Sequence, residues 1–176
     1  MASTFEAQAP TTTPEVGGMG HSRKRVEDAR FIRGKGTYID DINLPGQLWL
    51  DIVRSPYAHA RIKNIDSSEA LKVPGVAAVI TGKDLEGYGL HWMPTLAGDK
   101  QAVLPVDTVL FQSQEVAAVI ATSRYAAADG VAAVNVDYEP LPVVVDPYRA
   151  IEPDAPVIRA DRGEDQQNNH IWHWES

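Results

Sequence analysis

Asp40-Asp41, His91-Trp92 and His170-Ile171-Trp172-His173 are the side chains of this sequence whose types and spacing could do chemistry. Adjacent carboxylates suggest an acid–base pair or a cation site. An extended chain points neighbouring side chains apart, however, and Asp40-Asp41-Ile42-Asn43-Leu44-Pro45-Gly46 has the composition of a turn, where Asp holds its own backbone. His91 stands in a stretch broken by glycine and proline and reads as a surface or packing residue. His170 and His173 have the spacing that a helix would bring together. The alternation of aromatic residues around them fits a strand instead, which sends the two imidazoles to opposite faces, and no third ligand follows at zinc spacing.

Other signatures are missing. Gly34-Lys35-Gly36 lacks the third glycine and the following helix of a dinucleotide loop, and no phosphate-loop lysine is present. No serine sits in a nucleophile elbow. The sequence has no cysteine, which excludes disulfides, thiolate metal sites and cysteine nucleophiles. The residues alone therefore assign no catalytic, cofactor-binding or metal-ligating side chain.

The charge balance narrows the partners. Sixteen Lys and Arg stand against 24 Asp and Glu, a formal net charge of −8. Nucleic acid and anionic membranes both need a basic surface. The basic triplet Arg23-Lys24-Arg25 reads as an ion-paired surface, because Glu27 and Asp28 follow at once. No apolar run approaches the roughly 18 residues of a membrane span, and Met1–Gly18 lacks the pattern of a secretory signal. A cytoplasmic protein is the expectation.

Elements that would position such residues follow from periodicity. Gln47–Asp66 predicts two strands joined by a tight turn at Ser55-Pro56-Tyr57, a hairpin on which the fold is organised. Further strands are expected at Thr37–Ile39, Val76–Thr81, Val109–Phe111, Glu115–Ala121, Val134–Tyr138 and Val143–Val145. Val76–Thr81, Glu115–Ala121 and Val143–Val145 are apolar enough to be buried. Asp66-Ser67-Ser68-Glu69 and Thr81-Gly82-Lys83-Asp84 have the form of capping boxes for short helices. Thr122 or Ser123 caps a helix through Val131 whose alanines would let it lie close on a sheet, and Tyr88–Leu104 is a loop. Arg61–Thr81 and Glu115–Tyr138 share one grammar of strand, capped helix and strand. Few short helices among many strands predict an α+β fold.

At the central stretch a family resemblance becomes specific. Arg25-Val26-Glu27-Asp28-x-Arg30-Phe31, Gly34-x-Gly36-x-Tyr38-x-Asp40-Asp41, Leu44-Pro45-Gly46 and Val53-Arg54-Ser55-Pro56-Tyr57-Ala58-His59-Ala60-Arg61-Ile62 resemble the N-terminal α/β-hammerhead domain of the molybdenum hydroxylases. Pro74-Gly75-Val76, Thr81-Gly82-x-Asp84-Leu85, Val136–Pro142 and Asp154-Ala155-Pro156 continue the match in order. Within that superfamily of xanthine dehydrogenases and aldehyde oxidases, three further stretches are similar to the large subunit of aerobic carbon monoxide dehydrogenase. They are His91–Leu104, Phe111–Val116 and Asn169-His170-Ile171-x-x-Trp174-Glu175.

The resemblance implies an oxidoreductase converting carbon monoxide to carbon dioxide. It implies molybdenum held by molybdopterin cytosine dinucleotide, a thiolate-bound copper, and partner subunits carrying FAD and 2Fe-2S clusters. It places those ligands and the catalytic glutamate downstream, so that none maps onto this chain. A sibling enzyme acting on an aldehyde or a nitrogen heterocycle is the alternative, and a free-standing interaction module is another. The expected organisation is a flexible tail over 1–18, the hammerhead domain over 19–158, and a linker with a cut-off strand over 159–176. That strand would lead into a molybdenum-binding remainder and carry Trp172 and Trp174 on one face.

Overall fold

The structure, a computed structural model, describes residues 19–20, 24–90, 92–94, 100–159 and 168–171. The chain divides into two units, Met1–Leu44 and Pro45–Ser176. In the first, a single helical turn α1 (Asp28–Phe31) starts where the Asp28 carboxylate accepts from the Arg25 amide at 3.2 Å and from Arg25 Nε at 3.0 Å. This is the ion-paired reading of that charged segment. Phe31 stacks on Tyr38 with ring centroids 5.5 Å apart. A Cβ on Gly36 would lie 2.8 Å from the Phe31 ring, so a side chain there would force the pair apart.

The strand expected at Thr37–Ile39 is not formed. Ile39–Asp41 is a single 3-10 turn, because Asp41 Oδ2 accepts the Tyr38 amide at 2.9 Å. A carboxylate three residues on offers that amide a local partner, and no neighbouring strand competes for it.

Among the described residues, the second unit carries eight strands and two helices: β1 (Trp49–Arg54), β2 (Ala60–Asp66), β3 (Val76–Thr81), α2 (Gly82–Glu86), β4 (Trp92–Pro94), β5 (Lys100–Ala102), β6 (Thr108–Val109), β7 (Glu115–Ala121), α3 (Arg124–Ala133) and β8 (Asn135–Pro140). They form three antiparallel sheets with orders β1-β7-β3, β6-β2-β8 and β4-β5. The mixed architecture is the α+β fold expected. Strand β7 is central, and all its residues but Glu115 and Ile120 are buried, in keeping with its unbroken apolar run.

The hairpin expected over Gln47–Asp66 is corrected. Both strands are present, but β1 pairs with β7 and β2 pairs with β6 and β8. The chain leaves one sheet at Arg54 and enters the other at Ala60. Sequence alternation reports which residues extend; it does not report which strand each one meets.

The two echoing segments make the same crossing in opposite directions. From β2, a 3-10 turn at Ala70–Lys72 leads into β3, and from β7, α3 leads into β8. Asp66 Oδ1 accepts from the Ser68 amide at 2.9 Å, a tighter turn than the capping box expected there. At α2 the box holds: Asp84 Oδ2 accepts from the Thr81 amide at 2.8 Å and its hydroxyl at 2.7 Å. These bonds, the hydroxyl's first, hold the Asp84 carboxyl below the usual range.

Helix α3 is capped by Ser123, whose Oγ accepts the Ala126 amide at 3.1 Å. Its small side packs on β7: Ala126 and Ala127 are buried with Ala121, and Val131 meets Val119 and Val53. Gly130 is the closest approach. A Cβ there would lie 2.7 Å from Val119 Cγ1 and 2.9 Å from Val76 Cγ2.

Three further expectations change. Val143–Val145 is neither strand nor buried, with Val145 at 88% exposure. Strand β3 is an edge strand, half-buried rather than buried. The loop over Tyr88–Leu104 contains the short β4–β5 hairpin.

Candidate functional site

The buried polar side chains of the described residues are Ser55, His59 and Gln114, exposed by 2%, 8% and 2%. All three meet at the corner where β1 hands over to β2. Ser55 Oγ accepts the Tyr57 amide at 3.0 Å and donates to the Tyr57 carbonyl at 2.9 Å, closing the turn around Pro56. The Ser55 amide donates to the Gln114 carbonyl, and the Ser55 carbonyl accepts from the Ser113 amide, both at 2.9 Å. Ser113 takes up a φ of +66° to do so. Gln114 Oε1 accepts the Leu110 amide at 2.6 Å.

His59 locks the other side. Its Nδ1 lies 2.7 Å from the Pro142 carbonyl, and the Leu141 amide donates to the His59 carbonyl at 3.0 Å. A carbonyl can only accept, so Nδ1 carries a proton. Ala60, fully buried, then starts β2 against Val109 and Val116.

Tyr57 and Tyr138 meet beside the turn with centroids 5.4 Å apart. The Tyr138 hydroxyl is buried without a hydrogen-bond partner. Burial raises its pKa, and the nearby Ser55 hydroxyl offsets part of the rise.

Next to this corner opens a cleft of about 510 Å³ lined by His59, Arg61, Asp107, Thr108, Gln114 and Leu141, among others. Its charges are tied down at one edge, where Arg61 Nη1 and Lys63 Nζ stand 3.4 Å and 3.7 Å from Glu139 Oε2. The cleft offers polar contacts.

The side chains singled out in the sequence are scattered. Asp41 caps the turn in the first unit, and Asp40 is exposed beside it. Lys24 is exposed and Arg25 is paired with Asp28. His170 is exposed. Arg23, His91, His173, Trp174 and the side chain of Trp92 lie outside the described residues, as does the rest of the expected terminal strand beyond Ile171; residues 168–171 are irregular.

Asn169 had meant nothing in the sequence beyond a matching letter. In the structure its Oδ1 accepts the Ile158 amide at 2.7 Å, and its Nδ2 donates to the carbonyls of Ala150 at 3.0 Å and Pro156 at 2.8 Å. All of its amide's main bonding directions converge on one stretch of backbone. An asparagine after a polar linker gives no sign of that role in one dimension.

Residues 33–142 match the family described as the aldehyde oxidase and xanthine dehydrogenase a/b hammerhead domain. The chain belongs to that family. As a hammerhead, it is similar to the carbon monoxide dehydrogenase large chain of Afipia carboxidovorans, 55% identical over 98% of this chain, and to that of Hydrogenophaga pseudoflava, 57% identical over 84%. It spans about a fifth of these relatives, 22% and 19% of their lengths. It also matches a solved copper- and molybdenum-containing CO dehydrogenase in its carbon monoxide-reduced state, with a TM-score of 0.77 and 62% identity. That match covers 84% of this chain and 18% of the other.

No group of three His, Asp or Glu among the described residues could hold a metal ion, and the sequence has no cysteine to offer copper. The motif that first marked the family, Ser55-Pro56-Tyr57-Ala58-His59-Ala60, is the corner that switches the chain between sheets. No described helix is long and apolar enough to cross a membrane.

Proposed function

We propose that this chain is the hammerhead segment of the large chain of a cytoplasmic carbon monoxide dehydrogenase, structural rather than catalytic. The observation that carries this reading is the 55% identity to one such large chain over 98% of the chain. On this reading, the remainder of the large chain supplies the molybdopterin cytosine dinucleotide, molybdenum and copper that oxidise carbon monoxide with water to carbon dioxide, two protons and two electrons. Iron–sulfur and flavin subunits carry the electrons away. The role of the hammerhead's own residues is to hold a rigid two-sheet body in place beside that centre, with Ser55, His59 and Gln114 fixing the angle between the sheets.

A domain exchange tests it. The chain replaces the corresponding segment in the Afipia carboxidovorans large chain, co-expressed with the other chains of that enzyme, and in a nitrogen-heterocycle hydroxylase of the same family. Recovery of carbon monoxide oxidation in the first, with failure to assemble in the second, is the expected result. Assembly in the heterocycle enzyme alone would move the chain to that branch, and assembly in neither would remove the reading.

A further inference from the structure

The sheet β1-β7-β3 has two unlike faces. On one, Val119 and Val79 lie under Val131 of α3, so the helix covers it. Paired residues of an antiparallel sheet share a face and alternate along each strand. The register Leu50↔Ile120↔Ala78 and Ile52↔Ala118↔Ile80 therefore places six aliphatic side chains together on the opposite face, with no polar residue among them. Apart from Ala118 they are all partly or largely open, Leu50 to 60%. Leu48, two residues ahead, is open to 49%. At one end this side is closed, where Val116 packs with Ala60 and Val109.

We propose that this open face, centred on Leu50 and Ile120, is where the remainder of the large chain docks, through an uncharged aliphatic surface of its own. The inference rests on the reading above that the chain is one segment of such a large chain. Apolar side chains set side by side gain free energy when a second apolar surface takes them out of water.

Area decides between a tethered partner and a second copy. With strands about 4.8 Å apart and same-face residues about 6.8 Å apart along each, six residues cover about 200 Å². A free-standing complex needs roughly 800 Å² on each partner. A covalently continuous partner does not bear the cost of bimolecular association, so a smaller patch suffices. The relatives supply such a partner, since this chain corresponds to 22% of the Afipia large chain and 78% of its length lies outside the match. The edge of β1 is less suited to strand addition: the Ile52 amide is taken by Asp51 Oδ1 at 2.8 Å, and that carboxylate guards the edge.

Because the chain has no cysteine, single thiols can report on the face. Leu50→Cys is compared with Tyr125→Cys, on exposed α3 at 84% exposure, each in the isolated chain and in the Afipia chimera, with maleimide labelling located by mass spectrometry. The expected result is labelling at position 50 slowed about tenfold or more in the chimera, and position 125 unchanged. A second variant, Leu48→Asp with Leu50→Asp, should leave the melting temperature of the isolated chain nearly unchanged and reduce the yield of assembled chimera.

Equal labelling at position 50 in both contexts, from a chimera that assembles, overturns the docking face and leaves the family reading standing. Concentration-dependent protection in the isolated chain overturns it in favour of a second copy. A chimera with no substitution that fails to assemble removes the reading on which the inference rests, and the inference with it.

Discussion

His59 Nδ1 and the Pro142 carbonyl, 83 residues apart in sequence, stand 2.7 Å from each other and tie the start of β2 to the chain that leaves β8. The bond is part-buried: His59 is 8% exposed, while Pro142 is an exposed residue. Replacing His59 with leucine removes the donor and leaves the Pro142 carbonyl to water. The expected cost is about 0.5–1.5 kcal/mol, the net contribution of one such bond. Urea denaturation of the purified chain measures it, and a loss below 0.5 kcal/mol would mean that the corner does not depend on this bond.

Tyr138 gives the opposite sign. Its buried hydroxyl has no partner, so Tyr138→Phe should leave stability unchanged or raise it by up to about 1 kcal/mol. The same residue sets an alkaline limit. Its pKa in the fold is raised above the ordinary 10.0 by burial. Its contribution is therefore whole below pH 10 and is lost as pH rises through the folded value, because the unfolded chain ionises first. The substitution should flatten that alkaline decline, read as melting temperature against pH from 8 to 11.

Two glycines rank by what surrounds them. At Gly82 a Cβ would meet the Pro105 carbonyl oxygen at 2.5 Å and that of Leu104 at 2.7 Å, both fixed backbone. At Gly130 it would meet valine methyls at 2.7 Å and 2.9 Å. Alanine at 130 regains about 1 kcal/mol of helix propensity against an overpacking cost of about 1–3 kcal/mol. Gly82 opens α2, so alanine gains propensity there too, but the backbone oxygens it meets cannot swing aside as valine methyls can. The expected order of loss in thermal denaturation is Gly82→Ala above Gly130→Ala, and the reverse order would show that the 104–105 backbone yields.

These residues also show what the sequence could tell. Glu115–Ala121 was readable as a central strand because burial of most of its residues leaves an unbroken apolar run. The alanines and Gly130 of α3 forecast its close approach, since a slim helix has little other use. Strand partners were another matter. Nothing in Gln47–Asp66 says that Ser55 will bond to Ser113 and Gln114 rather than close a hairpin, because such pairing is a property of two distant segments. The open face of β1-β7-β3 escaped for the same reason: Leu50 and Ala78 are ordinary until register sets both beside Ile120. Motif letters identified the family while hiding their role: Ser55–Ala60 reads as the turn of a hairpin until its bonds show it to be the corner between two sheets.

Asn169 carries the last prediction. Its side chain is half-buried and makes three hydrogen bonds to backbone, at Ala150, Pro156 and Ile158. Each such bond contributes about 0.5–1.5 kcal/mol net. Together they set the position of 168–171 against 150–158, which has no ladder of its own. Asn169→Asp keeps the acceptor for the Ile158 amide but replaces a donor with a second acceptor, facing two carbonyls. Asn169→Ala removes everything. If donation to the two carbonyls is what matters, aspartate should be at least as damaging as alanine, because a carboxylate aimed at carbonyl oxygens is repelled. Hydrogen exchange at the Ile158 amide separates the two effects. Alanine should release it by about tenfold or more, while aspartate should keep part of its protection and lose overall stability. Unchanged exchange in the alanine variant would mean that the 150–158 segment holds its course without the clamp.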